Sequence, residues 1–301
     1  MSEALGFLFS TFFSVNTQVI VLAAMTPFLL AALGELVVER SGVLNLGVEG
    51  MMIMGAVAGF GGAFLTQNPW VGIVTSMLAG MAMALLFAFL SITLVTNQVA
   101  TGLALTLLGL GLSGLIGESF VGQPGVKLPA IGGIDPLMVF TFLLAGLVSY
   151  VLFRTHWGLV IRATGNNHGA AHALGYSVPQ VRYACVLFGG ACAGLAGGYL
   201  ALIYTPQWVE NMTAGKGWIA LALVVFASWL PWRAAAGAYL FGAISILAFQ
   251  IQTFSWGIPP QFLNSLPYIV TILALVLISG SRALAKRNTP AMLGQPFVPD
   301  R

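Results

Sequence analysis

Long apolar runs separated by short polar breaks recur along the whole chain. About 20 apolar residues in helical form cross the hydrocarbon core of a bilayer. Nine runs approach or reach that length, at residues 15–37, 44–65, 71–95, 99–117, 137–153, 183–204, 218–230, 234–251 and 266–279. Pro27 falls inside the first and predicts a kink, tolerable where neighbours satisfy the freed carbonyl. One stretch breaks the rhythm: residues 154–182, RTHWGLVIRATGNNHGAAHALGYSVPQVR, are polar and basic between two apolar runs. This segment must face water, and it is the natural place for a soluble partner to act on the chain.

Composition turns the pattern into a class. Of 301 residues 58% are apolar and 6% charged, against about 25% charged in soluble domains, and the mean hydropathy is +0.96. The chain therefore reads as one transmembrane domain over residues 1–301, a polytopic all-α bundle, because lipid-exposed backbone must satisfy itself within helices. Basic residues then set orientation. With the N-terminus outside and the C-terminus cytoplasmic, Arg40, Arg154, Arg162, Arg182, Arg233, Arg282, Lys286, Arg287 and Arg301 fall inside, and Lys127 and Lys216 outside. The outer loops are then 118–135, 205–217 and 253–264, and residues 281–301 form a cytoplasmic tail. The basic residues flank spans and form no single patch, so the net charge of +3 does not point to nucleic acid. Cys185 and Cys192 lie on one expected helix without His or carboxylate company and read as small core residues. The opening MSEALGFLFSTFF lacks the basic start and cleavage site of a signal peptide and reads as mature chain.

Several motifs carry competing readings. The pairs Gly55/Gly59, Gly190/Gly194 and Gly194/Gly198 have GxxxG spacing, which suits close helix packing within the subunit, with dimerisation as the alternative. GAVAGFGGAFL (55–65) and GACAGLAGGYL (190–200) echo one another, as an internal repeat or as chance in a Gly- and Ala-rich chain. TAGKG (213–217) superficially resembles a phosphate loop, but Glu210 and Gly217 stand where that loop needs Gly and Ser/Thr. ATP is not expected on this chain. HGAAH places His168 and His172 four apart, yet Gly169 stands where a zinc protease needs its Glu, so docking-loop polarity is the better reading than a metal site.

Carboxylates near membrane spans are costly and suggest function by default. Glu39 precedes Arg40 at an expected surface, where it pairs or is solvated. Glu35 and Glu49 lie about a turn inside their spans, and Asn45 and Glu49 have the i,i+4 spacing of one helix face. Such groups could serve proton coupling; the alternative is local bonding to backbone at the break between the first two spans. Gln98, Thr101 and Thr106 bring polarity into the fourth span and, with Asn45 and Glu49, are the candidates for a solute path. Trp208, Trp218, Trp229, Trp232 and Trp256 lie near expected interfaces and read as belt anchors.

Four ordered segments carry a family likeness: ERSGVLNLGVEGMMIMGA (39–56), RATGNNHGAAHALG (162–175), ENMTAGKGWIALALVVFASWLP (210–231) and LPYIVTILAL (266–275). They resemble the permease subunits of bacterial ABC importers for simple sugars and nucleosides, of the branched-chain amino acid/ribose-type permease superfamily. The likeness is strongest to the shorter permease of systems with a basic-membrane-protein-type binding lipoprotein. It implies a type II importer architecture of eight to ten helices with one half-length or re-entrant segment near the centre, in the bacterial inner membrane. A second homologous permease, a cytoplasmic ATPase carrying ATP and Mg, and an extracytoplasmic substrate-binding protein would complete the assembly, and this chain itself would bind no cofactor and catalyse nothing.

The resemblance also assigns the water-facing loop to ATPase coupling. The family pattern R-A-x-G-x-N-x-x-A-A-x-x-x-G is matched by Arg162, Ala163, Gly165, Asn167, Ala170, Ala171 and Gly175, with Asn166 and His168 at variable positions between them. Asn166 stands where relatives often carry an acid, His168 where they carry Pro, Thr106 where they carry Asn and Ala227 where they carry Gly. The expected function is ATP-driven import of nucleosides or related solutes by alternating access. A pentose or hexose permease, an ion-coupled carrier and, more remotely, an intramembrane enzyme are the alternatives.

Overall fold

The computed structural model describes residues 12–252, 259–279 and 288–298. Among them the regular structure is helical: α1 (Val15–Arg40), α2 (Val48–Thr66), α3 (Pro69–Ala88), α4 (Gln98–Gly117), α5 (Pro136–Arg154), α6 (His156–Asn166), α7 (His168–Ala173), α8 (Val178–Tyr199), α9 (Lys216–Phe226), α10 (Pro231–Gln252) and α11 (Pro260–Ser279). α3 and α8 each end in a π-helical turn, Phe89–Thr93 and Leu200–Tyr204. Seven helices, α1 to α5, α8 and α10, are long and apolar enough to cross a membrane, and α11 has comparable length at 20 residues. The protein is a multi-pass membrane protein. The first eleven residues, Trp256, Arg282, Lys286, Arg287, Arg301 and part of the loop expected at 253–264 lie outside the described residues.

All nine runs expected to span are helical, but the seventh does not span. α9 has 11 residues, which at about 1.5 Å per residue reach only about half of a 30 Å hydrocarbon core. What stops it is the turn after it: Ser228 and Trp229 take φ of 49° and 57°, a left-handed region no helix continues through, and Pro231 then starts α10. This is the half-length element near the centre that the family likeness implies. The second run also starts late, at Val48 instead of residue 44, leaving residues 41–47 as an irregular connection.

The centre of the bundle is α1, α2 and α8, whose apolar residues are mostly buried. Close approach there depends on missing side chains. A Cβ on Gly55 would overlap the backbone of Gly194, one on Gly80 that of Gly190 and Gly194, and one on Gly197 the Met52 carbonyl. The GxxxG pairs therefore serve packing of α2, α3 and α8 within one subunit, and the two echoing segments are partners across that contact.

Candidate functional site

The water-facing segment folds as two short helices joined by Asn167. Thr155 caps α6 by accepting from the Gly158 amide at 3.2 Å, and Asn167 caps α7 by accepting from the Ala170 amide at 2.9 Å. α6 is two-sided: Gly158, Val160, Thr164 and Gly165 are buried, and Trp157 and Leu159 are exposed. Gly165 lies against the end of α1, where a Cβ would overlap the Arg40 carbonyl oxygen. Arg162 turns inward. Its Nε donates to the Gly158 carbonyl at 3.3 Å, and its guanidinium lies 5.4 Å from the Phe153 ring centre, which the Arg40 guanidinium also approaches at 5.6 Å. Ala163 is half-buried and Ala171 buried, whereas Asn166, Asn167, Gly169, Ala170, His172 and Gly175 face outward.

The sequence pattern thus splits into an inner frame and an outer face. Leu174, missed by the motif, is the prominent outer group at 77% exposure, on a turn closed by Gly175 at φ 91°. An apolar side chain between small and polar neighbours in a segment that must face water is the signal that could have found it. His168 faces inward, its Nδ1 within 3.3 Å of the Arg182 Nη2 donor. Partial burial, and then the Arg182 charge, hold its ring below the ordinary value of 6.5, consistent with a neutral acceptor.

The connection at residues 41–47 is the second polar centre, and several of its backbone groups are bonded by side chains from elsewhere in the bundle. Asn45 donates its amide to Glu35 Oε1 at 3.3 Å, and its side-chain Nδ2 lies 3.5 Å from Oε2. Asn45 Oδ1 in turn accepts from the Gly47 amide at 2.9 Å. The Leu44 amide donates to Gln98 Oε1 at 2.8 Å, and Thr106 donates to the Leu46 carbonyl at 3.2 Å. Arg182 donates to the Ser41 carbonyl at 3.3 Å. In a low-dielectric setting an unpaired amide costs several kcal/mol (about 2–7), so these side chains are what allow the chain to leave helical form here. Asn45 and Glu49 do not share a helix face, because Asn45 precedes the helix.

Glu49 is the third element. Its Oε1 accepts from Thr213 Oγ1 at 2.6 Å and the Gly215 amide at 2.8 Å, and its Oε2 from the Gly217 amide at 2.6 Å. The TAGKG segment does form an anion-binding turn, and the anion is this carboxylate. Lying in the first turn of α2, Glu49 faces the positive ends of two helix dipoles, α2 and α9. Gly215 must adopt φ 83°, and a Cβ on Gly217 would come 2.6 Å from the Glu49 amide nitrogen. Lys216 folds back onto the Met212 and Thr213 carbonyls, each at 3.3 Å.

Glu39 pairs neither with Arg40 nor with water: it is buried and accepts from the Trp229 indole at 2.5 Å. Arg40 binds the Trp229 carbonyl through Nη2 at 2.9 Å and Nε at 3.3 Å. Trp229 is therefore a core residue that anchors the turn after α9, and Trp208 is also buried, whereas Trp218 and Trp232 are exposed. Of the five solute-path candidates, Asn45, Glu49, Gln98 and Thr106 are engaged with other parts of the chain. Thr101 bonds Thr96 at 2.8 Å on the wall of a cavity of about 350 Å³ between α3 and α4. A second cavity, about 360 Å³, opens at the start of α9 and is lined by Ala214, Gly215, Trp218, Ile219, Ala222, Tyr268 and Ile272.

Residues 18–278 match the family described as branched-chain amino acid transport system / permease component. A Haloferax volcanii ABC transporter permease provisionally named for glucose, TsgC13, is 41% identical over 289 residues, covering 84% of this chain and 88% of that one. The guanosine ABC transporter permease NupQ of Bacillus subtilis is 32% identical over 302 residues, covering 90% and 93%. The nucleoside ABC transporter permease NupC of Lactococcus lactis is 31% identical over 307 residues, covering 91% and 96%. Both organisms behind the first two names also hold a second matching permease, TsgB13 at 28% and NupP at 22% identity.

Proposed function

The chain belongs to the branched-chain amino acid transport system permease family, and on that premise we propose that it is one permease of a two-permease ABC importer for nucleosides or related sugar-like solutes. The observation that carries the reading is the α6–α7 loop on a member of this family. It is a water-facing pair of short helices seated on the ends of α1, α5 and α8, with Asn166, Gly169, Ala170, Leu174 and Gly175 turned outward. Small outward residues around one apolar knob suit insertion into a groove of a partner protein. That partner is a cytoplasmic ATPase, which holds ATP and Mg, and this chain holds neither. The second permease is a homologue, as the paired names of the relatives suggest. A binding protein delivers solute on the far side, so the loop and residues 281–301 are cytoplasmic and the N-terminus is outside.

Closure of two ATPase copies would tilt the loop and the helices it is seated on, exchanging inward-open and outward-open states. Solute passes beside the start of α9, where Trp218 and Tyr268 offer aromatic faces suited to stacking on a nucleobase or a sugar ring. Glucose is the runner-up solute, favoured by the relative of 41% identity. An ion-coupled carrier loses its motivation, since Glu35 and Glu49 are held by amides of this chain.

The test is ATP-dependent uptake of labelled nucleosides, pentoses and glucose in vesicles bearing the complete assembly, with and without Leu174→Asp and Ala170→Trp. Uptake and ATPase co-purification lost together in both variants, with the permease pair intact, is the expected result. Undiminished uptake would overturn the coupling assignment, and uptake without any ATPase would move the protein to the carrier class.

A further inference from the structure

The last described segment, residues 288–298, does not trail away from the bundle. It lies between the α6–α7 loop and the 41–47 connection and is tied to both. The Met292 amide donates to the Gly165 carbonyl at 2.9 Å, and the Gly294 amide donates to the Gly42 carbonyl at 3.0 Å. Arg40 Nη1 donates to the Asn288 carbonyl at 3.2 Å, and Arg182 Nη1 to the Gln295 carbonyl at 3.1 Å. Leu293 packs against the main core. Phe297 stands with its ring 5.2 Å from that of His168 and 5.4 Å from that of His172.

We infer that this segment is a transmission strut: it carries displacement of the α6–α7 loop to the 41–47 connection, and so to Glu35, Asn45 and the start of α2. The inference rests on the coupling role proposed above and adds the element through which coupling leaves the loop. Three features support it. The segment bonds the loop at Gly165 and the connection at Gly42 with donors only two residues apart, so the span between them is short and stiff. Each of these four hydrogen bonds uses the segment's own backbone, so the link they form depends on the path of the chain. Gly42, Gly165 and the segment also pack as one unit: a Cβ on Gly42 would come 3.2 Å from the Gly165 Cα and 3.3 Å from the Met292 carbonyl oxygen.

The complete assembly is reconstituted in vesicles, and solute uptake per ATP hydrolysed is measured beside ATPase co-purification. Ending the chain after Arg287 is expected to leave ATPase binding and basal hydrolysis within about twofold while uptake per ATP falls at least tenfold. Gly294→Pro, which removes the donor to Gly42 and cannot adopt φ 74°, is expected to act alike. Gln295→Ala, which keeps the carbonyl, should leave uptake unchanged. Unchanged uptake per ATP in the shortened chain overturns the strut, and a rise in both hydrolysis and uptake overturns it too, in favour of a restraint. If the shortened chain fails to accumulate, a short thiol crosslink between His172→Cys and Phe297→Cys decides. A strut that moves with the loop tolerates the crosslink, and a crosslink that stops transport shows that the two must separate. Loss of ATPase binding in Leu174→Asp reports docking alone, so failure of the coupling assignment is read separately.

Discussion

Two polar regions of the molecule answer opposite demands. Around Glu49 the carboxylate, the Thr213 hydroxyl and two amides at the head of α9 are consumed by one another. At the end of α6 and around α7 the side chains of Asn166, His172 and Leu174 are exposed. Both regions are rich in Gly and Asn and both fall in segments that carry the family likeness. The difference teaches how to sort polar residues in such a chain. Those that neutralise irregular backbone inside the bundle are architecture, and those left outside the bundle's own bonding are available to another protein.

The strongest way to break that contrast is Glu49→Ala. It strands two amides, each costing about 1–3 kcal/mol when buried unpaired, and should give the largest fall in thermal midpoint in detergent, or no accumulated protein. A variant that melts like the parent but cannot transport would move Glu49 to the solute path. Trp229→Phe comes next: it deprives the buried Glu39 side chain of its indole donor, and a buried acceptor left unpaired costs about 1–3 kcal/mol. Its melt should shift by less than that of Glu49→Ala.

Leu174→Asp sharpens the contrast from the other side. As an exposed substitution it should change stability by no more than about 0.5 kcal/mol while reducing ATPase capture by roughly tenfold, or about 1.4 kcal/mol of binding. A destabilised Leu174→Asp would place that residue with the architecture after all. The smallest effect concerns pH. His168 is held neutral, so its acceptor role toward Arg182 is present above the ordinary 6.5 and is lost as pH falls through the lowered folded value. Its other neighbour is Phe297, whose ring His172 also approaches. Uptake should therefore decline by about twofold toward pH 5, and His168→Gln should flatten that part of the profile.

The helical runs were legible because the transfer free energy of 20 apolar residues is large and local. Boundaries near 98, 117 and 153 follow from it directly, whereas residues 44–47 are as apolar as a helix start and differ only in their partners. Those partners are remote: Gln98 and Thr106 for the connection, and Gly215 and Gly217 for Glu49. No window along the chain contains both halves of such a bond. Trp229 illustrates the same limit, since a Trp beside a basic residue at a helix end reads as a belt anchor whether it meets lipid or Glu39. Within the loop, hydropathy could not distinguish Arg162, folded over Phe153, from Leu174, turned outward.

The brevity of α9 has a consequence for what holds it in place. Eleven residues are too few for a nascent helix to partition into lipid unaided, and its first amides need an acceptor that was synthesised more than 160 residues earlier, in Glu49. The short helix therefore depends on α2 for its place in the bundle: Glu49→Ala should loosen α9 before the full-length spans, as amide hydrogen exchange would show. Here tertiary contact, and not hydrophobic length alone, is what holds a segment at membrane depth.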